Sequence, residues 1–491
     1  MAIPTWSIIS AVVLTGRIVS GAVVSSTPAQ TFHGIGGSGA WWPKDIHRYP
    51  EAQRQQLANL LFSQDGLGLS GFRWNIGGGG VNVSNPTRAP ETFYVSPGSY
   101  DWEKDAQGVY FMQEANKRGV EITAFVNSAP APLTAGRASC NSNFVTGSGN
   151  AYSTFLADVL QRFVQQGINI RYISPMNEPD NSFGPSPCGQ EGMIVVPNQR
   201  AEVVNSLWNA LSARGLAQRI GIIVDEASTL NRGTSQYGTW LGSVLDKVAA
   251  LAHHTYDFPS DASYTTYVAD TARRFPGKRT WMTEVCCGMG NADGTGRGWA
   301  QGYDPTIRNA LMWSGMVFQS FNVVNETHYD WWVLLSKEVG CSVTTAGCAT
   351  SINTAGWNDG LIYYDGNFAT NQNYQFYITK HFWTYKHFGN FVKSGMQRLP
   401  VTSFTSSEAA LRPYVLVTSS PTQFNVIVMN PFSSASTLTL TFPLRACATS
   451  AFRTSASQDF ASVQIATSGG NGVWTMQLPS MTQTSYVFNK C

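Results

Sequence analysis

Two glutamates stand where apolar runs stop. Glu178 ends the stretch "IRYISPMNE" from Ile170, and Glu284 ends "RTWMTE" from Arg279. Only 13% of the 491 residues are charged, so a carboxylate at the end of a buried strand calls for a reason. A pair of carboxylates can divide labour, one protonating a departing oxygen while the other attacks the carbon left electron-poor. Asn-Glu-Pro alone describes an ordinary loop equally well; the second glutamate changes the weighing.

Neighbouring apolar runs end in polar groups that suit such a pair. Arg73 in "GFRWNIGGGG" can hold Glu284 ionised, and Asn177 can donate to a sugar 2-hydroxyl. His254 and Tyr256 share one face of their strand, so the Tyr256 hydroxyl can orient Glu284. Asn127, Glu226 and Trp331 complete the candidate substrate-binding set, with Trp331 expected to floor the sugar site. Other chemistries lack their signatures. The chain has no HExxH, no CxxC zinc spacing and no GxSxG elbow, and adjacent His253 and His254 point to opposite strand faces. No metal and no cofactor is expected. Two GxGxxG matches, at Gly34-Gly36-Gly39 and Gly66-Gly68-Gly71, do not run from a strand into a helix and read as turn glycines. "GGGG" at Gly77 to Gly80 lacks the lysine of a phosphate loop and reads as backbone that approaches a ligand or another loop.

The elements that must position these groups alternate along the chain. Eight apolar runs read as strands: His33 to Ser38, Ser70 to Ile76, Glu121 to Asn127, Ile170 to Pro175, Ile220 to Asp225, Ala249 to Tyr256, Arg279 to Glu284 and Tyr329 to Leu335. Segments of helical period lie between them, such as "AYSTFLADVLQRFVQQG" from Ala151 and "TIRNALMWSGMVFQSFN" from Thr306. Eight alternations predict an α/β fold, a (β/α)8 TIM barrel, with an open doubly wound sheet as the runner-up. Catalytic groups of such barrels sit at the C-terminal ends of the strands, where Glu178 and Glu284 fall after the fourth and seventh. After about Phe391 the period becomes two, as in "QFNVIVMN" and "TQTSYVFN", which predicts an appended antiparallel β-sandwich over residues 391–491. The barrel is expected over residues 23–390, with residues 23–31 able to add a strand to the sandwich.

Lys and Arg total 32 against 30 for Asp and Glu, so no basic surplus draws in nucleic acid or an anionic membrane. A neutral partner fits better, and 15 Trp with 19 Tyr suit the flat faces of sugar rings. An apolar segment from Trp6 to Leu14, followed by small Ser20, Gly21 and Ala22, reads as a signal peptide over residues 1–22, although Arg17 falls late and no basic segment precedes it. Eight cysteines then predict disulfides: Cys341 with Cys348, Cys447 with Cys491, and Cys140 with Cys188. Adjacent Cys286 and Cys287 either bridge each other or reach neighbouring loops. Asn82 and Asn325 open N-glycosylation sequons. A soluble, secreted monomer is the expectation.

The motifs "HGIGGSGAWWP", "GFRWNIGGGGVNVSNPTRAPETF", "NSAPAPLT", "SPMNEPD", "TWMTEVCC" and "HYDWWVLL" together resemble glycoside hydrolase family 30, over nearly the whole chain. The resemblance implies a retaining mechanism with Glu178 as acid/base and Glu284 as nucleophile. Within the family the likeness is nearest to fungal endo-β-1,6-galactanases, which implies cleavage of internal β-1,6-galactosyl linkages of a polysaccharide or oligosaccharide. Asn127 stands where several relatives carry a tryptophan, and its amide is a candidate reader of an axial 4-hydroxyl. The same mechanism on β-1,6-glucan or glucuronoxylan, and a non-catalytic polysaccharide-binding barrel, are the alternatives.

Overall fold

The computed structural model describes residues 21–470 and 472–491, so most of the expected signal peptide lies outside the described residues. Eight parallel strands form its centre: β1 Gly34–Gly37, β2 Gly71–Asn75, β3 Glu121–Phe125, β4 Ile170–Ser174, β5 Gly221–Ala227, β6 Val248–His254, β7 Arg279–Glu284 and β8 His328–Trp331. From β2 to β8 each pairs with the next in chain order, and β8 pairs with β1. A parallel bridge between Ser38 and Arg73 joins the ends of β1 and β2 and closes the ring.

Eight longer helices cover the barrel: α1 Glu51–Phe62, α2 Ala106–Lys117, α3 Gly149–Gln165, α4 Pro197–Ala213, α5 Leu230–Tyr237, α6 Asp261–Arg274, α7 Ile307–Gln319 and α8 Lys380–Phe391. In α3, Tyr152, Phe155, Leu156, Val159, Leu160 and Phe163 recur three and four apart and are all buried, giving one apolar stripe against the sheet. Helix starts are set locally, as where the Thr229 and Ser260 hydroxyls accept the Arg232 and Ser263 amides and begin α5 and α6.

The first GxGxxG match departs from the expectation of turns, since Gly34 and Gly36 lie within β1, as Gly71 of the second lies within β2. A side chain on Gly36 would run into the Asp330 carboxylate and the Gly71 carbonyl, so β1 stays bare where the barrel interior holds charged groups. The Gly77 to Gly80 loop approaches protein: Gly78 and Gly80 donate amides to the buried carboxyl of Glu191, which burial pushes up to about 8.

The C-terminal unit stacks two sheets over a separate apolar core that includes Val417, Val426, Leu438, Met476 and Phe488. Ala22–Val24 lies in one of these sheets, paired antiparallel to Val401–Thr402 but parallel to Ser436–Thr441, while Gln30–Thr31 joins the other. Buried His387 of α8 bonds the Ser485 and Thr454 hydroxyls and ties barrel to sandwich. The disulfides are Cys140–Cys188, Cys286–Cys287, Cys341–Cys348 and Cys447–Cys491. Asn82 and Asn325 are exposed and both adopt left-handed backbone, φ 67° and 58°. Gly36→Ala is expected to cost about 1–3 kcal/mol by overpacking the barrel, read as a lowered denaturation midpoint; an unchanged midpoint would mean that β1 can shift away from Asp330.

Candidate active site

β4 runs on through Pro175 to Glu178, whose backbone takes the left-handed region at φ 42°. Few non-glycine residues do so, and such strain persists where neighbours hold it. Here the Glu178 amide donates to the carbonyl of Glu226 at 3.0 Å, and Glu226 is itself left-handed at φ 58°. β7 delivers Glu284 as its last residue, and β6 delivers His254 with Tyr256 two residues on. All project from the C-terminal ends of the strands.

The buried Arg73 guanidinium organises the floor. It donates to Glu226 Oε2 at 2.5 Å, to Glu284 Oε2 at 3.2 Å and to Asn177 Oδ1 at 3.3 Å, while its plane lies 4.2 Å over the Phe125 ring. The Tyr256 hydroxyl donates to the other oxygen of Glu284 at 2.8 Å. His254 bridges Glu178 Oε1 at 3.0 Å and Glu226 Oε2 at 3.2 Å. Burial alone would keep this imidazole neutral, but the field of Glu284 and the bonds to Glu178 and Glu226 outweigh it and raise its pKa to about 10. Burial also opposes charge on Glu226, yet Arg73 and His254 hold its pKa below the ordinary value. Glu178 moves the other way: burial is the largest cause, Glu284 adds to it, and contact with His254 only partly offsets them, so its pKa is raised.

These directions close the charge balance. Arg73 and His254 bring two positive charges to three glutamates, and the one whose pKa is raised, Glu178, is the one that neither cation holds ionised against its burial. One ligand atom each from Glu178, His254 and Glu284 lies within 4.8 Å of the others, close enough to suggest a metal cradle. The donor set does not fit one: an imidazole protonated on both nitrogens has no lone pair, and both oxygens of Glu284 are already taken by Arg73 and Tyr256.

A cavity of about 540 Å³ opens over Glu178, Glu284 and Tyr256. Its walls come from the loops that follow the strands. Trp41 and Trp332 meet edge to face at 5.0 Å, and Trp299 stands 5.6 Å from both Tyr256 and Trp357. Trp299 remains 53% exposed, a flat apolar surface presented to solvent. Asn181, Gln190, Ser228 and Arg88 supply polar edges. Asp359 also lines the cavity, its carboxyl pushed up to about 7 by burial.

Several sequence expectations need correction here. Trp331 does not floor the cavity. His328 and Asp330 of β8 point into the barrel and pair at 2.9 Å, so Trp331 alternates outward against Trp313 of α7 and Tyr385 of α8. The next residue, Trp332, takes the inward place. Arg73, Asn177, Glu226 and His254 belong to the layer that holds the carboxylates, and only Tyr256 of the expected binding set lines the open cavity. Asn127 donates to Asn75 Oδ1 at 3.2 Å and stays off the cavity wall, because β3 stops at Phe125 and turns the amide toward β2. Trp41, Trp299 and Trp357 were missed because they sit in loops without period; the adjacent tryptophans of "DWW" are the one signal that alternation could have resolved.

The (β/α)8 barrel brings two buried carboxyl groups, Glu178 and Glu284, together at the C-terminal ends of its strands. Residues 19–239, a little under half of the chain, match the family model described as O-Glycosyl hydrolase family 30. No curated protein matches the chain. Among solved structures, a conserved exported protein from Bacteroides fragilis superposes with a TM-score of 0.77 at 19% identity, over 95% of this chain and 100% of that one. The catalytic domain of GH30 xylanase C from Talaromyces cellulolyticus gives 0.71 at 19% identity over 95% and 99%. An endo-β-1,6-glucanase gives 0.68 at 16% identity over 95% and 94%. At these identities the likeness is one of fold.

His254→Asn removes a positive charge that lowers the Glu178 pKa, leaving burial and Glu284 to raise it further. Should Glu178 act as an acid, its protonated form would persist to higher pH, and the alkaline limb of kcat/KM would move to higher pH while kcat falls. A limb that stayed in place in the pH–rate profile would remove Glu178 as the group that titrates.

Proposed function

We propose that this protein is a secreted, retaining glycoside hydrolase that cleaves internal β-1,6-galactosyl linkages of galactan or arabinogalactan side chains. The observation that carries the mechanism is the approach of Glu178 and Glu284, with an oxygen of each within 4.8 Å of the other. Retaining enzymes hold the two carboxyls about 5–5.5 Å apart, whereas inverting ones leave about 6.5–9.5 Å for a water.

The protonated Glu178 gives its proton to the glycosidic oxygen while Glu284, held by Arg73 and Tyr256, attacks the anomeric carbon. The bond to the leaving sugar breaks and a glycosyl ester forms on Glu284. The ester carries no charge, so the repulsion that helped to raise the Glu178 pKa is gone. Glu178 can then take a proton from water, which attacks the same carbon and frees Glu284. Arg73 also holds the Asn177 carbonyl, so the amide beside Glu178 is fixed in the layer beneath the cavity.

An open cavity with tryptophans on both sides and an exposed Trp299 supports a polymer lying across the barrel mouth. Four disulfides support an oxidising, extracellular setting. The galactosyl preference rests on the sequence resemblance, since Asn127 does not line the cavity. A second reading, the same mechanism on β-1,6-glucan or xylan, is favoured by the fold shared with proteins described as an endo-β-1,6-glucanase and a xylanase.

Chromatography of products from β-1,6-galactan, β-1,6-glucan and glucuronoxylan tests both. Short β-1,6-galacto-oligosaccharides from the first polymer alone are expected. Release from another polymer instead would replace the specificity, and no release from any would leave a binding protein. Glu284→Gln should lower turnover by several orders of magnitude in a protein that still unfolds cooperatively; near-normal turnover would remove it as nucleophile. Trp299→Ala should raise KM for polymer about tenfold, the equivalent of one lost stacking contact, with little effect on small aryl glycosides; equal KM values would take Trp299 out of the binding path.

A further inference from the structure

We propose that the disulfide between the adjacent residues Cys286 and Cys287 is a positioning element for the sugar, a sulfur surface against which the C–H face of the ring attacked by Glu284 rests. The proposal builds on the glycosidase reading of the same site.

Both residues line the cavity that contains Glu178 and Glu284, and both are otherwise buried, at 3% and 6% exposure. Cys286 lies two residues beyond the nucleophile, and Val285 continues the strand by accepting the Trp332 amide at 3.3 Å. Extended-chain alternation therefore turns Cys286 to the same side as Glu284. Cys287 then turns into the left-handed region, φ 66°. Its amide donates to the Asn358 carbonyl at 3.1 Å, and its carbonyl accepts the Ala300 amide at 3.1 Å. The pair is thus clamped between the loop segments that carry Trp357 and Trp299.

Global stability gives little reason for this bridge. A disulfide restrains the unfolded chain in proportion to the loop it closes, and a link between neighbours closes almost none. Its effect is local: it locks the peptide after Glu284 and replaces two thiols with a polarisable, apolar surface that donates no hydrogen bond. Such a surface suits the C–H face of a pyranose, and Asn181, Ser228 and the two glutamates on the walls of the same cavity offer partners for its hydroxyls.

Two measurements test this. In C286A/C287A, KM for the cleaved polymer is expected to rise about five- to tenfold, with the melting temperature within a few degrees of the parent. Unchanged KM and kcat would overturn the proposal. The second needs no variant: after a brief TCEP pulse on the native protein, alkylation is followed by mass spectrometry with and without saturating β-1,6-galactobiose, or the disaccharide released from the polymer actually cleaved. Labelling of Cys286 and Cys287 should slow several-fold, while Cys341 and Cys348, outside the cavity, label at the same rate. Equal labelling of all four with and without disaccharide would overturn it. Absence of hydrolysis by the unmodified protein overturns both the function and this inference; hydrolysis with unprotected sulfurs and an unaltered double variant overturns the inference alone.

Discussion

A guanidinium sealed inside the barrel is the constraint on which the rest of the site depends. Arg73 has no exposure to water and would be untenable there alone; it is held by Glu226, Glu284 and Asn177, with Phe125 beneath its plane. Those partners arrive from four different strand ends, so the charge network and the closure of the barrel require each other. With His254 as second cation, the three glutamates balance the two cations when one of them keeps its proton, and burial with the repulsion from Glu284 raises the pKa of Glu178.

Small residues make room for this polar column. β1 is Gly-Ile-Gly-Gly, and its bare face accommodates Asp330, which sits close enough to contribute to the field on Arg73. Below, His328 pairs with Asp330, and His33 stacks on Trp281 at 4.5 Å. The barrel interior is thus filled by paired polar groups near the mouth and by aromatic rings lower down, consistent with a packed centre. The loops are tied as firmly: Cys140–Cys188 joins the segments after β3 and β4, and the Glu191 carboxyl gathers the amides of the glycine loop after β2.

Much of the scaffold could be read from the chain. The eight strand assignments fall within one or two residues of the observed ends, except that β8 stops at Trp331 where an apolar run to Leu335 was expected. The run misled because Trp332 to Leu334 is buried outside any strand and Leu335 begins a separate short strand paired with Ile362, so one apolar run covers three pieces. The glycines of β1 were misread because a contact with Asp330, distant in sequence, is what forbids a side chain there. At the site, Arg73 and Tyr256 touch Glu284 as residue type and strand position suggested. The layer of the remaining candidates was not legible: strand alternation tells in from out, but not how deep in the barrel a side chain stops.

The sequence by itself determined the alternation of strands and helices, the change of period that begins the sandwich, and the two carboxylates at strand ends, because each is written in local spacing that the backbone must obey. Tertiary structure alone settled how Arg73 and His254 tie the glutamates together, that Trp332 rather than Trp331 faces the cavity, and that Trp41, Trp299, Trp357 and the Cys286–Cys287 pair meet around it. Those outcomes depend on desolvation and on contacts between loops far apart in the chain, and neither leaves a periodic trace in the sequence.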